Sequence, residues 1–416
     1  MTSPVWHPFT QHALAPDMPL VTRGEGAWLH TETGRLLDAI SSWWVITHGH
    51  RHPHIVDAIK RQADKLDQVI FAGFTHQPAE DVAHGLLEIV PDGLAHVFYS
   101  DSGSTAVEVA LKMALGFWKH QPKPRTKIIA LEHAYHGDTV GTMSAGARGV
   151  FTAAYEPLLF DVVRLPLPQG RGCDTLAALE EAAKDAAALI VEPLILGSGG
   201  MLMYDAEILR KMKALCERHG ALFIADEVMT GFGRTGTLFA CEQAGITPDI
   251  LCLAKGLTGG SLPLAATLCT APIFEAHYSP ERARMFFHSS SFTANPIACA
   301  AARANLDVWK SEPVRERIRA LGNLQEERLA PFRTDARFAN VRRLGTIAAL
   351  DLKVPDPGYL AGVTPRLTAF FHERGVLLRP LGNTIYVMPP YCTAAAELDL
   401  VYDVIAQAAE SFVTVR

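Results

Sequence analysis

Residues 221–260 read ALFIADEVMTGFGRTGTLFACEQAGITPDILCLAKGLTGG. Two short apolar runs stand out, Leu222–Ala225 and Ile250–Ala254. Each is short enough for a strand and apolar throughout, as strands buried on both faces are. The first ends in Asp226-Glu227 and the second in Lys255. A bare charge at the end of a buried strand is costly unless it is partnered or used.

Working outward, the same alternation continues on the N-terminal side. His96–Ser100 reads as a strand, followed by Thr105–Trp118 with apolar residues at helical spacing. Lys127–Leu131, Val162–Leu165, Leu189–Glu192 and Ala265–Cys269 are further strands, with helices expected over Thr175–Ala186 and Ala206–Arg218. This pattern predicts an α/β fold with a mostly parallel central sheet and helices on both faces. Residues 51–304 are expected to form that large domain. The flanking segments 1–50 and 305–416 carry shorter, mixed signals and are expected to form one smaller α+β domain from both chain ends.

The composition agrees with a globular protein. Of 416 residues, 49% are hydrophobic and 20% charged, which excludes a disordered chain, a collagen and a long coiled coil. A net charge of −6 with no dominant basic face gives no nucleic-acid footprint. The N-terminus lacks the basic and apolar regions of a secretory signal. The uncharged stretch 256–274 carries three glycines and two prolines and fits a loop feeding a strand better than a membrane span. Seven scattered cysteines with no C-x-x-C pair point to a reducing compartment, so a cytoplasmic location is expected.

In open α/β sheets, ligands sit beyond the carboxyl ends of the strands. Asp101-Ser102-Gly103-Ser104-Thr105 follows one strand and opens a helix, which suits either an anion site or an ordinary N-cap. Asp226 is either half of a structural ion pair or a carboxylate that keeps a cofactor's ring nitrogen protonated. Lys255 either snorkels to the rim or is a desolvated nucleophile. A phosphate cup, an aspartate and a lysine at successive strand ends are together the groups that pyridoxal 5'-phosphate needs. Gly231–Gly236 matches G-x-G-x-x-G, but five residues separate it from its strand and no acid follows at the right distance, so a dinucleotide site is disfavoured. The run His48–His54 lacks the ligand spacing of a metal site, and no metal is expected. Phe9, Trp43 and Trp44 suit either a core or a pocket wall. Arg379, at a strand end, suits two-pronged binding of a carboxylate.

These residues resemble the fold-type I, class III pyridoxal-phosphate aminotransferases. ADEVMTGFGRTG, with Lys255 placed 29 residues after Asp226, carries the likeness. WHPFTQ, SSWW, YSDSGSTAVEVALKMA, AYHGDTVGTMS, FFHSSSFTANPIACAAA and RPLGNTIYVMPPY extend it over nearly the whole chain, toward the biotin-pathway branch of the family. The resemblance implies a homodimeric transaminase, with no nucleic-acid or membrane partner, that converts 8-amino-7-oxononanoate to 7,8-diaminononanoate. It implies that Lys255 holds the cofactor and shuttles the proton, and that Asp226 pairs with the ring nitrogen. Tyr135 and Val228 would pack on the two ring faces, and Ser102, Gly103 and Ser104 would bind the phosphate. Ser291 would reach the phosphate from the partner subunit. Arg379 would hold the substrate carboxylate, and Phe9, Trp43, Trp44 and Tyr386 would line the pocket. Glu192 and Arg234 fall in matching motifs without an implied role.

The implied donor is S-adenosylmethionine. Phe9 stands where many adenosylmethionine-using members have tyrosine, and a lysine-using branch has WLPF-like starts. L-lysine is therefore the alternative donor, and another class III enzyme of ω-amino acids or diamines the alternative activity.

Overall fold

The computed structural model describes residues 4–14 and 18–413. Residues 1–3, 15–17 and 414–416, which belong to the expected small domain, lie outside the described residues. A seven-stranded sheet runs in the order Leu94–Ser100, Ala265–Thr270, Ile250–Leu253, Leu222–Asp226, Ala186–Val191, Lys127–Leu131, Val163–Leu165. All neighbours pair in parallel except Ala265–Thr270, which runs antiparallel to both of its neighbours. The other six strands therefore point the same way, and their carboxyl ends meet along one edge.

Alternation along these strands sorts the core into two layers. Ile128, Ile190, Ile224 and Cys252 pack with the helix Gly103–Lys119. Ile129, Leu189, Phe223 and Leu251 face the other way, onto Ile208, Leu209 and Met212 of the helix Ala206–His219. Both layers are buried, which is why these strands read as unbroken apolar runs.

The structure departs from the expected helix Thr175–Ala186. The helix spans Cys173–Ala182, and Ala186 opens a strand. Alanine favours helix, but Ala186, Ala187 and Ala188 sit fully buried between two strands, and that packing overrides propensity.

The two chain ends share a sheet. The antiparallel strands Val21–Glu25, Trp28–Thr31 and Gly34–Asp38 are joined in parallel by Val376–Leu377. A second, three-stranded antiparallel sheet comprises Phe338–Leu344, Ile347–Leu352 and Thr384–Val387, and a core shared with the helices Val314–Leu329 and Ala395–Phe412 forms around it. Position 304, the expected end of the large domain, lies inside the helix Pro296–Ser311. All seven cysteines are free. Among the described residues, no helix is long and apolar enough to cross a membrane.

Phe223 is fully buried in the central strand. Phe223→Ala is expected to lower stability by about 3–5 kcal/mol through lost transfer energy and the cavity left behind. Chemical denaturation of the cofactor-free protein measures this, and a loss below about 1 kcal/mol contradicts the packing described.

Candidate active site

Five strand ends deliver the polar residues. Leu94–Ser100 leads into Ser102 and Gly103, Lys127–Leu131 into Tyr135 and His136, and Ala186–Val191 into Glu192. Leu222–Asp226 ends on Asp226, and Ile250–Leu253 leads into Lys255. Ser102, Gly103, Ser104, Tyr135, Asp226, Val228 and Lys255 line one cavity together with Trp44, His136 and Glu192.

Lys255 opens a short 3-10 turn with a left-handed φ of +46°, a conformation uncommon outside glycine. Its Nζ lies 4.7 Å from the centre of the Trp44 ring. Burial lowers its pKa to about 8, against the opposing pull of Asp226 and Glu192. The amine is thus far readier to deprotonate than a surface lysine.

Asp226 is buried, and its Oδ2 lies 2.7 Å from His136 Nδ1. Its Oδ1 accepts from Val228 N at 3.2 Å. His136 Nε2 is buried with no hydrogen-bond partner among the described residues. Glu192 accepts from Tyr135 N with one oxygen and from Gly197 N with the other, each at 2.9 Å. Burial pushes its carboxyl up to about 7. Glu192 thereby ties the loop bearing Tyr135 to the loop that packs on Trp44, because a Cβ on Gly197 would lie 3.1 Å from that ring.

The start of the Gly103–Lys119 helix is both a cap and a cradle. The Ser102 side chain accepts from Thr105 N at 3.2 Å, in a capping box. The N–H groups of Gly103 and Ser104, which precede the first intrahelical donor, remain available to an anion. A Cβ on Gly103 would come within 2.5 Å of Val228 Cγ1, so only glycine lets these two elements close around a flat group. Ser104 Oγ accepts from Asp138 N at 3.2 Å. The donors, the buried carboxylate and the desolvated lysine fit a phosphorylated pyridine aldehyde.

A second cavity, about 310 Å³, shares Trp44, Tyr135 and Lys255 with the first. Phe9, Trp43, Arg379 and Tyr386, all expected pocket residues, line it. Trp44 Nε1 donates to Tyr386 OH at 3.0 Å. The Arg379 guanidinium has neutral partners: the Phe9 carbonyl at 3.2 Å, the Trp43 ring at 5.0 Å and the Tyr359 hydroxyl.

Sequence reasoning missed Asp138, Phe151 and Tyr359, which line the same cavity. Phe151 packs edge-on against both Phe9 and Tyr359. It lies in an irregular segment with no periodic signal. His136 was also missed, although it adjoins Tyr135. Ser291 lines neither cavity; it is exposed, and its carbonyl accepts from Gln68 Nε2 at 2.7 Å.

Two suggestive motifs resolve into structure. Gly233 of the glycine motif packs against the helix Val314–Leu329, where a Cβ would lie 2.4 Å from Ile318, leaving no cradle for a dinucleotide. In the histidine run, His48 pairs with Asn305, His50 with Asp38 and His52 with Glu312. Among the described residues, no group of three or more potential ligands gathers to hold a metal.

The sequence profile described as "Aminotransferase class-III" matches residues 11–409. The chain belongs to the class-III aminotransferases. Its curated relatives in the family include a protein of Synechococcus elongatus named adenosylmethionine-8-amino-7-oxononanoate aminotransferase. That protein is 47% identical over 415 residues, covering 97% of each chain. A Geobacter sulfurreducens protein of the same name is 41% identical, covering 96% of this chain and 94% of its own. Among solved structures, the enzyme so named from Methanocaldococcus jannaschii superposes with a TM-score of 0.94 at 34% identity, covering 99% of this chain and 97% of its own. A PLP-bound amine transaminase from an uncultivated Pseudomonas species gives 0.91 at 33% identity, covering 99% of each chain. The family assignment makes the chain a pyridoxal-phosphate-dependent aminotransferase.

The lowered pKa gives a direct check. Only the neutral amine reacts with acetic anhydride, so labelling rises with pH through the pKa. In cofactor-free protein, the Lys255 peptide is expected to label with a midpoint of about 8. Exposed lysines are expected near about 10.4, and a Lys255 midpoint in that range contradicts the desolvated site.

Proposed function

We propose that the protein transfers an amino group from S-adenosylmethionine to 8-amino-7-oxononanoate, giving 7,8-diaminononanoate in biotin synthesis. The observation that carries this is the convergence of Lys255, Asp226 and the Gly103 cradle on a cavity that opens into the aromatic, Arg379-bearing pocket. The near full-length likeness to relatives named for this reaction supports it. Pyridoxal 5'-phosphate, when bound, supplies an electron-poor ring that stabilises the carbanion left when the donor carbon loses its proton.

This chain's residues do the rest. Ser102, Gly103 and Ser104 hold the phosphate through the helix N-terminus. Lys255 would anchor the cofactor, and its Nζ would take the proton lost by the donor carbon and deliver it to the aldehyde carbon of the cofactor, as base and then acid. A pKa of about 8 leaves that amine partly neutral near neutral pH. Asp226 keeps the proton on the ring nitrogen, with its own orientation fixed by His136 and Val228 N. Tyr135 and Val228 confine the two ring faces. Arg379 exchanges its neutral partners for the substrate carboxylate, a stronger charge-assisted pairing. Trp43, Trp44, Phe9 and Tyr386 enclose the aliphatic chain and exclude water.

The active form is a homodimer in which the partner's copy of Ser291 completes the phosphate site. The free state of all seven cysteines supports a reducing compartment, the cytoplasm. A second reading, with L-lysine as donor, is favoured by one observation: Phe9 brings a ring without a hydroxyl to the pocket wall.

Purified protein supplied with the cofactor, S-adenosylmethionine and 8-amino-7-oxononanoate is expected to form 7,8-diaminononanoate, read by mass spectrometry. Arg379→Ala is expected to raise KM for the keto acid about tenfold or more, and far more than KM for the donor. Equal effects on both substrates contradict the carboxylate role.

A further inference from the structure

The segment carrying the two pocket tryptophans has an unusual backbone. Ser41, Ser42, Trp43 and Trp44 have successive φ values of +53°, +46°, +74° and +75°. This is a left-handed helical turn, closed by Trp44 N donating to Ile40 O and Val45 N to Ser41 O, both at 2.9 Å. Left-handed residues other than glycine normally occur singly, so four in a row persist only when the surroundings impose them.

Two buried side chains impose this one. On one side, Asp38 ends the strand Gly34–Asp38. Its Oδ1 accepts from Ile40 N at 3.3 Å and Ser42 N at 2.9 Å, and its Oδ2 accepts from Ser42 Oγ at 2.9 Å. His50 Nε2 braces the same oxygen at 2.8 Å. On the other side, Arg234 is 1% exposed. Its guanidinium donates to Trp44 O at 3.2 Å, Ile46 O at 2.9 Å and Pro389 O at 3.2 Å. The fork therefore ties the end of the turn to a loop of the other chain end.

We propose that Asp38 and Arg234 are positioning residues for the substrate pocket, clamping the left-handed turn Ser41–Trp44 and so fixing where its two indole rings stand. The turn aims Trp43 at Arg379 and Phe9, and Trp44 at Lys255 and Tyr386. A right-handed relaxation of the turn would carry both rings away from these partners. The inference rests on the reading of this cavity as the substrate pocket.

The test uses cofactor-loaded, full-length protein and the acceptor and donor that the wild type turns over best. Wild-type inactivity toward 8-amino-7-oxononanoate then counts against the biotin-pathway reading and leaves the comparison of variants measurable. Ser42→Gly and Ser42→Val both remove the hydroxyl, but only glycine accepts a positive φ freely. Ser42→Gly is expected to keep KM for the acceptor within about threefold. Ser42→Val is expected to raise it about tenfold or more while kcat changes less than about threefold. Arg234→Lys keeps the charge but loses the fork that spans three carbonyls, and is expected to behave like Ser42→Val. A wild-type KM in Ser42→Val, or equal damage from both Ser42 variants, overturns the proposal. So does an Arg234→Lys variant that loses cofactor or thermal stability while KM stays unchanged. If Arg234→Lys does not fold, the Ser42 pair decides.

Discussion

A primary amine held at the end of a buried strand governs the architecture around it. Lys255 is desolvated enough to lower its pKa to about 8, yet Asp226 and Glu192 lie close enough to oppose that shift. Neither carboxylate is a bare charge. Asp226 is matched by His136 and Val228 N, and Glu192 by the N–H groups of Tyr135 and Gly197. These bonds keep acids beside the amine without collapsing the site into ion pairs. They also demand that four separate strand ends meet along one edge, which a parallel sheet provides and an antiparallel one does not.

That constraint explains why the centre of the site was legible in the sequence. Asp226 and Lys255 each follow an unbroken apolar run, and Ser102–Thr105 opens a helix after another. Strand burial, strand end and polar residue coincide in a short window. Glu192 also ends such a run, but its task is to hold backbone N–H groups, which no residue pattern announces. Asp138, Phe151 and Tyr359 escaped because they sit in irregular segments, where neither a two-residue nor a 3.6-residue period exists to mark a buried face. The helix overrun at Ala186 has a different cause: local propensity and tertiary packing disagreed, and packing prevailed.

The outer pocket depends on long-range closure. Phe9 and Trp43 come from the first 50 residues, and Arg379 and Tyr386 from the last 40. The two ends meet because Val376–Leu377 joins the N-terminal sheet beside Leu37 and Asp38. The strain in the tryptophan-bearing turn, roughly 1–2 kcal/mol per left-handed residue, is offset by the clamp at Asp38 and Arg234. The two chain ends thus supply Phe9, Trp43, Arg379 and Tyr386 to the outer pocket, while Lys255 and Asp226 stand at the sheet edge. The same division is compatible with a family in which one chemical centre serves many substrates.

The most direct measurement of the central claim is the absorption spectrum of the cofactor-loaded protein mixed with one amino donor and no acceptor. With S-adenosylmethionine alone, the long-wavelength band of the lysine-bound cofactor is expected to disappear, and the band of the aminated cofactor to replace it. The Lys255→Ala protein, treated in the same way, is expected to show no such conversion. A wild-type band that persists with S-adenosylmethionine but is lost with L-lysine contradicts the donor assignment. A protein that never develops the band when supplied with pyridoxal 5'-phosphate contradicts the account built on Lys255.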